Sequence, residues 1–458
     1  MTSVVDIRAG LLGALGRPAD EIVISDPDIM AAYTRDESRF TEAAVPLAVL
    51  TPRCTDEVAA CLRACHELGI PVVPRGAGSG LSGGANAVTG GVVLSLHRMN
   101  AILEIDPVER LAVAQPGVVT GDLRAAVAAQ GLLYPPDPGS VAFCTLGGNV
   151  ATGAGGMCCV KYGVTGDFVV ALEVVLADGR VMRTGTRTVK GVAGYDLTGL
   201  FVGSEGTLGV VTEITVRLVP APGPAATVVA TFTDLAAAGA AVAAITAAGV
   251  SCSAVEILDR TTLRAVDGYA KMGLGDAAAM LLVQADSPDA DALLTQVAEL
   301  CLAAGAEVGR SDSPEESEML LEARRLALPA LEQLGDWLLD DVCVPRAKVV
   351  ELIEAVERVA ADTGLTIGVF GHAGDGNLHP TVIFDRSDDV SVAAATVAFD
   401  AITAAALELG GTITGEHGVG RLKATWLTRE LDPVNIAVQR ELRRTFDPRG
   451  ILNPGVVL

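Results

Sequence analysis

The chain has 458 residues, half of them hydrophobic but only 3% aromatic, and a formal charge of −23. That length exceeds one ordinary core and predicts two domains. The acidic balance excludes nucleic acid and anionic membrane surfaces as partners, since both demand basic patches, and leaves a small anionic substrate open because such a ligand responds to local charge.

In chain order, residues 1–41 read as a helical lead-in in which Asp26 to Asp28 cap a segment starting at Ile29. Met1 to Arg8 holds no basic region ahead of an apolar one, so no secretory leader is expected. Short strands follow at Pro46–Leu50, Val72–Val73 and Val92–Leu96, with helical patterns at Thr55–Leu68 and Thr120–Gln130. Val169–Leu176 and Val181–Arg183 flank Asp178-Gly179, a hairpin turn, and Thr212–Val219 closes this part. Pro220 to Pro224 reads as a linker.

Past the linker, Thr227–Phe232, a helix through Ala248, Val255–Leu258, Met280–Ala285 and a helix Pro288–Ala304 capped by Ser287 give the order of an α+β plait. Helices at Pro314–Gln333 and Lys348–Thr363 flank a strand Trp337–Val344, and strands Ile367–Phe370 and Thr381–Phe384 bracket a glycine loop. The uncharged stretches Gly76–His97 and Pro138–Val160 are broken throughout by glycine, serine, threonine and asparagine, and the Ala-rich run Leu235–Val250 is only 16 residues, so no transmembrane segment is expected. Nine cysteines without any C-x-x-C spacing read as reduced thiols of a cytoplasmic protein. Cys61 and Cys65, at i and i+4 of a helix, read as buried small residues rather than iron–sulfur ligands.

Between Arg75 and Ala85 the first strand runs into a loop with glycine at five of the nine positions from Gly76 to Gly84. Glycine lets successive N–H groups turn toward one point and form a nest for phosphate. Gly78-Ser79-Gly80-Leu81-Ser82-Gly83 fits G-x-G-x-x-G, but Ala85 to Gly91 passes into another strand with no room for a crossover helix, and no Gly-Lys-Ser/Thr occurs. The loop therefore reads as a diphosphate cradle outside both standard nucleotide folds. Two further glycine-rich segments support it: Pro138-Gly139-Ser140 with Thr145 to Gly156, and Gly203 to Gly209.

A second centre combines Gly371 to Pro380 with Gly415-Glu416-His417-Gly418, and holds three of the five histidines. A strand, a tight loop and a second strand return His379 beside His372, which is how two imidazoles come to face one ion. Glu416 adds a hard carboxylate. Adjacent side chains diverge, so Glu416 can ligate while His417 faces a substrate.

These segments, in this order and across nearly the whole chain, resemble the FAD-linked oxidases of the vanillyl-alcohol-oxidase superfamily, specifically the branch with glycolate oxidase D subunits, D-lactate dehydrogenases and D-2-hydroxyglutarate dehydrogenase. The resemblance implies an α+β fold: a two-part PCMH-type FAD-binding domain (42–221), an α+β, ferredoxin-like cap (222–415) and a C-terminal helical segment (416–458) returning to the FAD domain. It implies FAD against Pro74, Arg75, Gly76, Ala77, Gly78, Ser79, Gly80, Leu81 and Ser82, against Pro138, Gly139, Ser140, Thr145, Gly147, Gly148, Asn149, Thr152, Gly155 and Gly156, and against Glu205, Gly206, Gly209, Val210, Val211 and Asn453. Lys161 to Gly163 complete the surroundings. No histidine lies in the first two glycine loops, so non-covalent FAD is expected, with Cys144 and Cys158 as the residues that would overturn this. The pattern further implies a zinc or manganese ion on His372, His379 and Glu416, His417 as the base, and Arg324, with Arg325 one register away, on the substrate carboxylate.

The implied reaction is oxidation of a small D-2-hydroxy acid to the 2-oxo acid, with electrons passed to a quinone, an electron-transfer protein or a partner subunit, in a chain compatible with a homodimer. The hydroxyglutarate enzymes carry a lysine where this chain has Leu339 and an asparagine where it has Thr381. A monocarboxylate such as glycolate or D-lactate is therefore expected over the dicarboxylate. Three alternatives stand beside this: a D-2-hydroxyglutarate dehydrogenase, a flavin-binding subunit active only in a complex, and the ether-lipid synthase, whose consecutive histidines this sequence lacks.

Overall fold

Hydrophobic segments of two textures meet at the proline-rich stretch Pro220–Pro224, and the computed structural model, which describes residues 4–12, 21–274 and 276–458, divides there into two units. The first comprises Met1–Gly156, Val164–Ala221 and Glu416–Leu458; the second comprises Met157–Gly163 and Pro222–Gly415.

In the first unit a four-stranded sheet runs Val23–Ile24, Val49–Leu50, Val92–Ser95, Val72–Arg75, with the last three strands parallel. The helix Thr55–Leu68 buries Val58, Cys61, Leu62 and Cys65 and closes on Gly69, whose φ of +66° suits a residue without Cβ. Leu62 is fully buried, and each such leucine contributes about 1.5–3 kcal/mol. Ile451 and Leu452 join the same core, and Asn453 donates its N–H to Val72 at 2.8 Å, so the C-terminal stretch is part of this unit. A second, five-stranded antiparallel sheet orders Ile102–Asp106, Leu111–Ala114, Val210–Arg217, Val169–Val175 and Val181–Gly185. The Asp178-Gly179 turn is present, with φ +84° at Gly179.

The second unit is an eight-stranded antiparallel sheet in the order Glu307–Arg310, Ala226–Phe232, Ala279–Ala285, Ala254–Asp259, Thr366–His372, Asn377–Phe384, Asp336–Leu339, with Val342–Cys343 also on Asn377–Phe384. One described helix, Asp389–Glu408, has the length and hydropathy (1.8) to cross a membrane by composition alone. Its buried residues Ala395, Ala398, Phe399, Ile402, Thr403 and Ala406 recur at helical spacing, and this stripe packs on Val349–Thr363 and Asn377–Phe384. Among the described residues no cysteine is in a disulfide, and Cys61 and Cys65 are buried.

Several local readings change. Asp26 does cap the helix Pro27–Ala31, but Val23–Ile24 of the lead-in is a strand paired with Val49–Leu50, and Ile102–Asp106 and Leu111–Ala114 are strands that the sequence reading passed over. Ser287 is not a cap: Ala290 donates to the Ser287 carbonyl in a turn before the helix Ala290–Ala303 begins. The helix expected over Pro314–Gln333 breaks at Leu326 into Pro314–Arg325 and Ala327–Glu332, because the Pro329 ring opposes the carbonyl four residues back. The strand expected over Trp337–Val344 is interrupted by the buried pair Asp340 and Asp341.

Asp259 caps the helix Arg260–Ala270 by accepting from Thr262 N at 2.8 Å, and burial pushes its carboxyl up to about 6 against the Thr262 and Val369 hydrogen bonds. A folded-state value above the unfolded 3.8 means stability that is present below the unfolded value and lost as pH rises through about 6. Asp259→Asn keeps a good cap. Its thermal midpoint should therefore gain on the parent between about pH 4 and pH 7.5, by on the order of 2–3 kcal/mol or a few degrees. An equal difference at both pH values would contradict this.

Candidate active site

The first glycine loop sits in the first unit on a polar floor. Arg75 is buried, and its guanidinium donates to the carbonyls of Ala85, Ala32 and Arg35, so its side chain supports the loop from beneath. A Cβ at Gly78 would lie 2.1 Å from Arg75 Nη2, which is why that position takes glycine at φ +79°. Among the described residues no acceptor meets the backbone N–H groups of Gly76 to Leu81. Asp36, buried beside the loop, has its carboxyl pushed up to about 6 by burial, against hydrogen bonds from Ser38 and Ala85 and the Arg75 charge.

The second glycine segment folds as the helix Leu146–Thr152, capped by Thr145 Oγ1 accepting from Gly148 N at 3.3 Å; Asn149 Nδ2 donates to Thr120 Oγ1 at 2.8 Å. A Cβ at Gly139 would meet open space. In the third segment Glu205 adopts φ +50°. Its buried carboxylate accepts from Val419 N at 2.8 Å and from Gly420 N at 2.9 Å, and its own carbonyl accepts from Asn453 Nδ2 at 2.8 Å. Burial pushes the Glu205 carboxyl up to about 7 despite the Gly420 and Val419 donors. Asn453 Oδ1 is buried and without a partner while its Nδ2 holds Gly84 O and Glu205 O. Val210 and Val211 open the strand Val210–Arg217, and Gly206, at φ +70°, packs on Pro74. Cys144 is buried in this unit. Lys161, Tyr162 and Cys158 fall in the second unit instead. There Lys161 Nζ and Tyr162 OH both bond to Asp286, the latter at 2.7 Å, and burial followed by the Asp286 interaction raises the Tyr162 phenol.

In the second unit the histidines lie on strands rather than in the loop. Thr366–His372 and Asn377–Phe384 pair with His372 opposite Asn377 and Phe370 opposite His379. Side chains two apart share a face, so the two rings are diagonal neighbours on one face of the sheet. The turn that joins them needs Gly376 at φ +91°, where a Cβ would lie 2.0 Å from the Val344 carbonyl. His372 Nε2 and His379 Nε2 are 3.4 Å apart and both rings are buried. Two imidazole nitrogens at about 2.05 Å from one tetrahedral ion are about 3.3 Å apart, so the pair has the spacing of two ligands.

Behind them stand two carboxylates that sequence reasoning missed. Glu256, across the ladder from His372, is fully buried; Oε1 meets His372 Nδ1 at 2.7 Å and Oε2 accepts from Arg324 Nε at 2.5 Å. Burial alone would push its carboxyl up, but His372 and Arg324 outweigh that and hold it below the usual range. The Arg324 guanidinium lies 4.7 Å from the Phe370 ring, and among the described residues Glu256 is its only hydrogen-bonded acceptor. Arg325 instead pairs with Glu318 on the surface. Asp341 accepts from Asn377 Nδ2 at 2.7 Å, Thr414 Oγ1 at 2.6 Å and Gly415 N at 3.0 Å, with Oδ1 3.8 Å from His379 Nδ1. The signal available for Glu256 was a glutamate inside the apolar strand run Ala254–Asp259, where an unpaired charge would be costly.

Glu416 and His417 follow Gly415 directly and belong to the first unit. Their side chains do not diverge: His417 Nε2 is 3.6 Å from Glu416 Oε1. Neighbouring side chains point apart only on extended backbone, and the chain bends from Gly415 to His417. Ser82 Oγ donates to the His417 carbonyl at 3.2 Å, and the Glu205 carboxylate holds the next amides along.

Comparison with known proteins fits this arrangement. Residues 221–457 match the family described as FAD linked oxidases, C-terminal domain, and residues 46–185 match the FAD binding domain. Glycolate oxidase subunit GlcD of Bacillus subtilis (strain 168) is 46% identical over 416 residues, covering 90% of this chain and 88% of that protein. D-Lactate dehydrogenase of Anaerostipes hadrus is 37% identical over 456 residues, covering 96% and 95%. The fold matches a crystal structure of p-cresol methylhydroxylase with substrate bound at a TM-score of 0.80 and 19% identity, covering 99% of this chain and 97% of that one. The chain belongs to the FAD-linked oxidases, of PCMH-type architecture. It is an FAD-linked oxidoreductase. The first unit fits the cofactor: among the described residues the Gly76–Leu81 amides are donors without acceptors, Gly139 opens on free space, and Asn453 Oδ1 is a buried acceptor in want of a donor.

Glu205→Ala would leave the Val419 and Gly420 N–H groups without their acceptor, at roughly 1–3 kcal/mol each. A lower thermal midpoint and faster hydrogen exchange at those two amides are the expected result; unchanged exchange would show that the carboxylate does not hold this segment.

Proposed function

We propose that this chain oxidises a D-2-hydroxy monocarboxylate of the glycolate or D-lactate type to the 2-oxo acid, with a divalent metal, zinc or manganese, held by His372, His379 and Glu416. The observation that carries the reading is the pair of buried Nε2 atoms 3.4 Å apart on one sheet face. The names of the two relatives support the substrate class.

Arg324 binds the substrate carboxylate with the guanidinium N–H groups that Glu256 does not use, a charge-assisted contact. His417 removes the proton from the substrate α-hydroxyl, a role that contributes roughly 10²–10⁴-fold. A metal ion held by His372, His379 and Glu416 would supply Lewis acidity that lowers the pKa of that hydroxyl. FAD, held non-covalently, would supply the hydride acceptor at flavin N5. Gly76 to Leu81 bind its diphosphate through backbone N–H groups, and the remaining glycine-segment residues named above, with Asn453, line the rest of the cofactor.

Leu339 and Thr381 face each other across the Asp336–Leu339 ladder, on the same face as His379, and both are buried. This part of the face therefore presents no cation for a second carboxylate, which supports the monocarboxylate reading. Nine cysteines with no disulfide among the described residues support a cytoplasmic location. The name of the Bacillus subtilis relative, a subunit, supports an electron acceptor carried by a partner chain.

Anaerobic mixing of the purified flavoprotein with a panel of hydroxy acids tests the reading. Glycolate or D-lactate should bleach the flavin with higher kcat/KM than D-2-hydroxyglutarate or the L-acids; a clear dicarboxylate preference would reassign Arg346 or Lys348 as a distal anchor, and no bleaching by any acid without added partners would favour a subunit active only in a complex. Acid precipitation should release FAD, whereas flavin kept in the pellet would point to Cys144 or Cys158.

Substitutions separate the roles. His372→Ala and His379→Ala should lose metal and regain part of their activity in excess Zn²⁺ or Mn²⁺. His417→Ala should keep metal and flavin while flavin reduction slows by roughly two to four orders of magnitude. Metal loss in His417→Ala with retention in the other two would invert the assignment.

A further inference from the structure

We infer that Glu256 is a positioning residue that fixes the tautomer of His372 and orients Arg324 at the same time, an inference that rests on the reading of the histidine pair as metal ligands. At 2.7 Å, His372 Nδ1 and Glu256 Oε1 are at hydrogen-bond distance. A carboxylate oxygen and an unprotonated ring nitrogen would repel there, so the proton sits on Nδ1. The neutral ring then carries its lone pair on Nε2, the nitrogen that faces His379 Nε2 at 3.4 Å. A ring held in the other tautomer would present an N–H at that point and could not ligate. The second oxygen accepts from Arg324 Nε at 2.5 Å, which aims the guanidinium and leaves its terminal nitrogens for an anion.

His379 is held differently: its Nδ1 lies 3.8 Å from Asp341 Oδ1, beyond hydrogen-bond length. The placement also explains why a glutamate occupies the buried strand Ala254–Asp259 at all. A fully buried carboxylate is tolerated only with partners on both oxygens, and its two partners are the residues the proposed chemistry needs aimed. Carboxylates behind ligating histidines typically alter metal affinity 10–100-fold when lost.

The test uses the full-length flavoprotein stripped of metal by chelation and labelled with ¹⁵N-histidine, where five histidines keep the spectrum simple. Long-range ¹H–¹⁵N correlation should show His372, identified by its loss in His372→Gln, protonated at Nδ1. In Glu256→Gln that signature should change to a mixture or to the Nε2–H form. Titration with Zn²⁺ should show affinity weakened about 10–100-fold, with FAD content unchanged. Because Glu256→Gln leaves Arg324 buried without its counter-charge, the double variant Glu256→Leu/Arg324→Met, which removes both charges, is measured beside it and should show the same two changes. An unaltered His372 tautomer together with Zn²⁺ affinity within about threefold of the parent would overturn the inference and leave Glu256 a packing residue. A parent protein that binds no Zn²⁺ or Mn²⁺ would sink the metal reading instead, and the metal-free tautomer signal would still decide whether Glu256 sets the ring.

Discussion

The register between Thr366–His372 and Asn377–Phe384 is the constraint on which the second unit's chemistry depends. With Phe370 opposite His379 and His372 opposite Asn377, both imidazoles emerge on one face and their Nε2 atoms approach to 3.4 Å. A slip of one residue would send His379 to the other side of the sheet. The turn closing this hairpin admits no Cβ at Gly376, so the register is set by backbone sterics as well as by pairing with Ala254–Asp259 and Asp336–Leu339. Burial then sharpens the effect: the His372 ring and the Glu256 and Asp341 carboxylates lie inside the sheet, where an unmatched polar group is costly, and each is matched to a specific donor or acceptor.

The first unit solves a different problem, that of presenting donors rather than acceptors. Its glycine loop leaves the Gly76–Leu81 amides without an acceptor among the described residues, while Arg75 is bonded to three carbonyls beside it. Glu205 does the complementary job of taking up the Val419 and Gly420 amides, so that the stretch following Glu416 and His417 has a fixed path. Keeping a carboxylate there is costly, as its value near 7 indicates, and the backbone donors offset part of that cost.

Much of this was legible in the sequence. The glycine clusters, the Thr55–Leu68 helix, the Asp-Gly hairpin and the histidine–loop–histidine pattern are local signals, set by residues close to one another in the chain. What escaped was non-local. Glu256 meets His372 across 116 positions and Arg324 across 68, and nothing in the immediate neighbourhood of Glu256 names either partner. Asp341 was hidden inside what read as a continuous strand, and the strands Ile102–Asp106 and Leu111–Ala114 lack alternation, the first with no fully buried residue and the second buried throughout. The break at Leu326 was readable from Pro329, but the surrounding helical periodicity masked it. The notion that Glu416 and His417 diverge assumed extended backbone, which glycines on either side do not maintain.

The central claim, that two sheet-borne imidazoles share one ion, is tested most directly by X-ray absorption at the metal edge of the purified flavoprotein loaded with one equivalent of zinc or manganese. The account predicts a coordination shell that contains two imidazole nitrogens, at about 2.0–2.1 Å for zinc, with one imidazole lost in His379→Ala. A bound ion surrounded by oxygen alone, or a shell unchanged by that substitution, would contradict it.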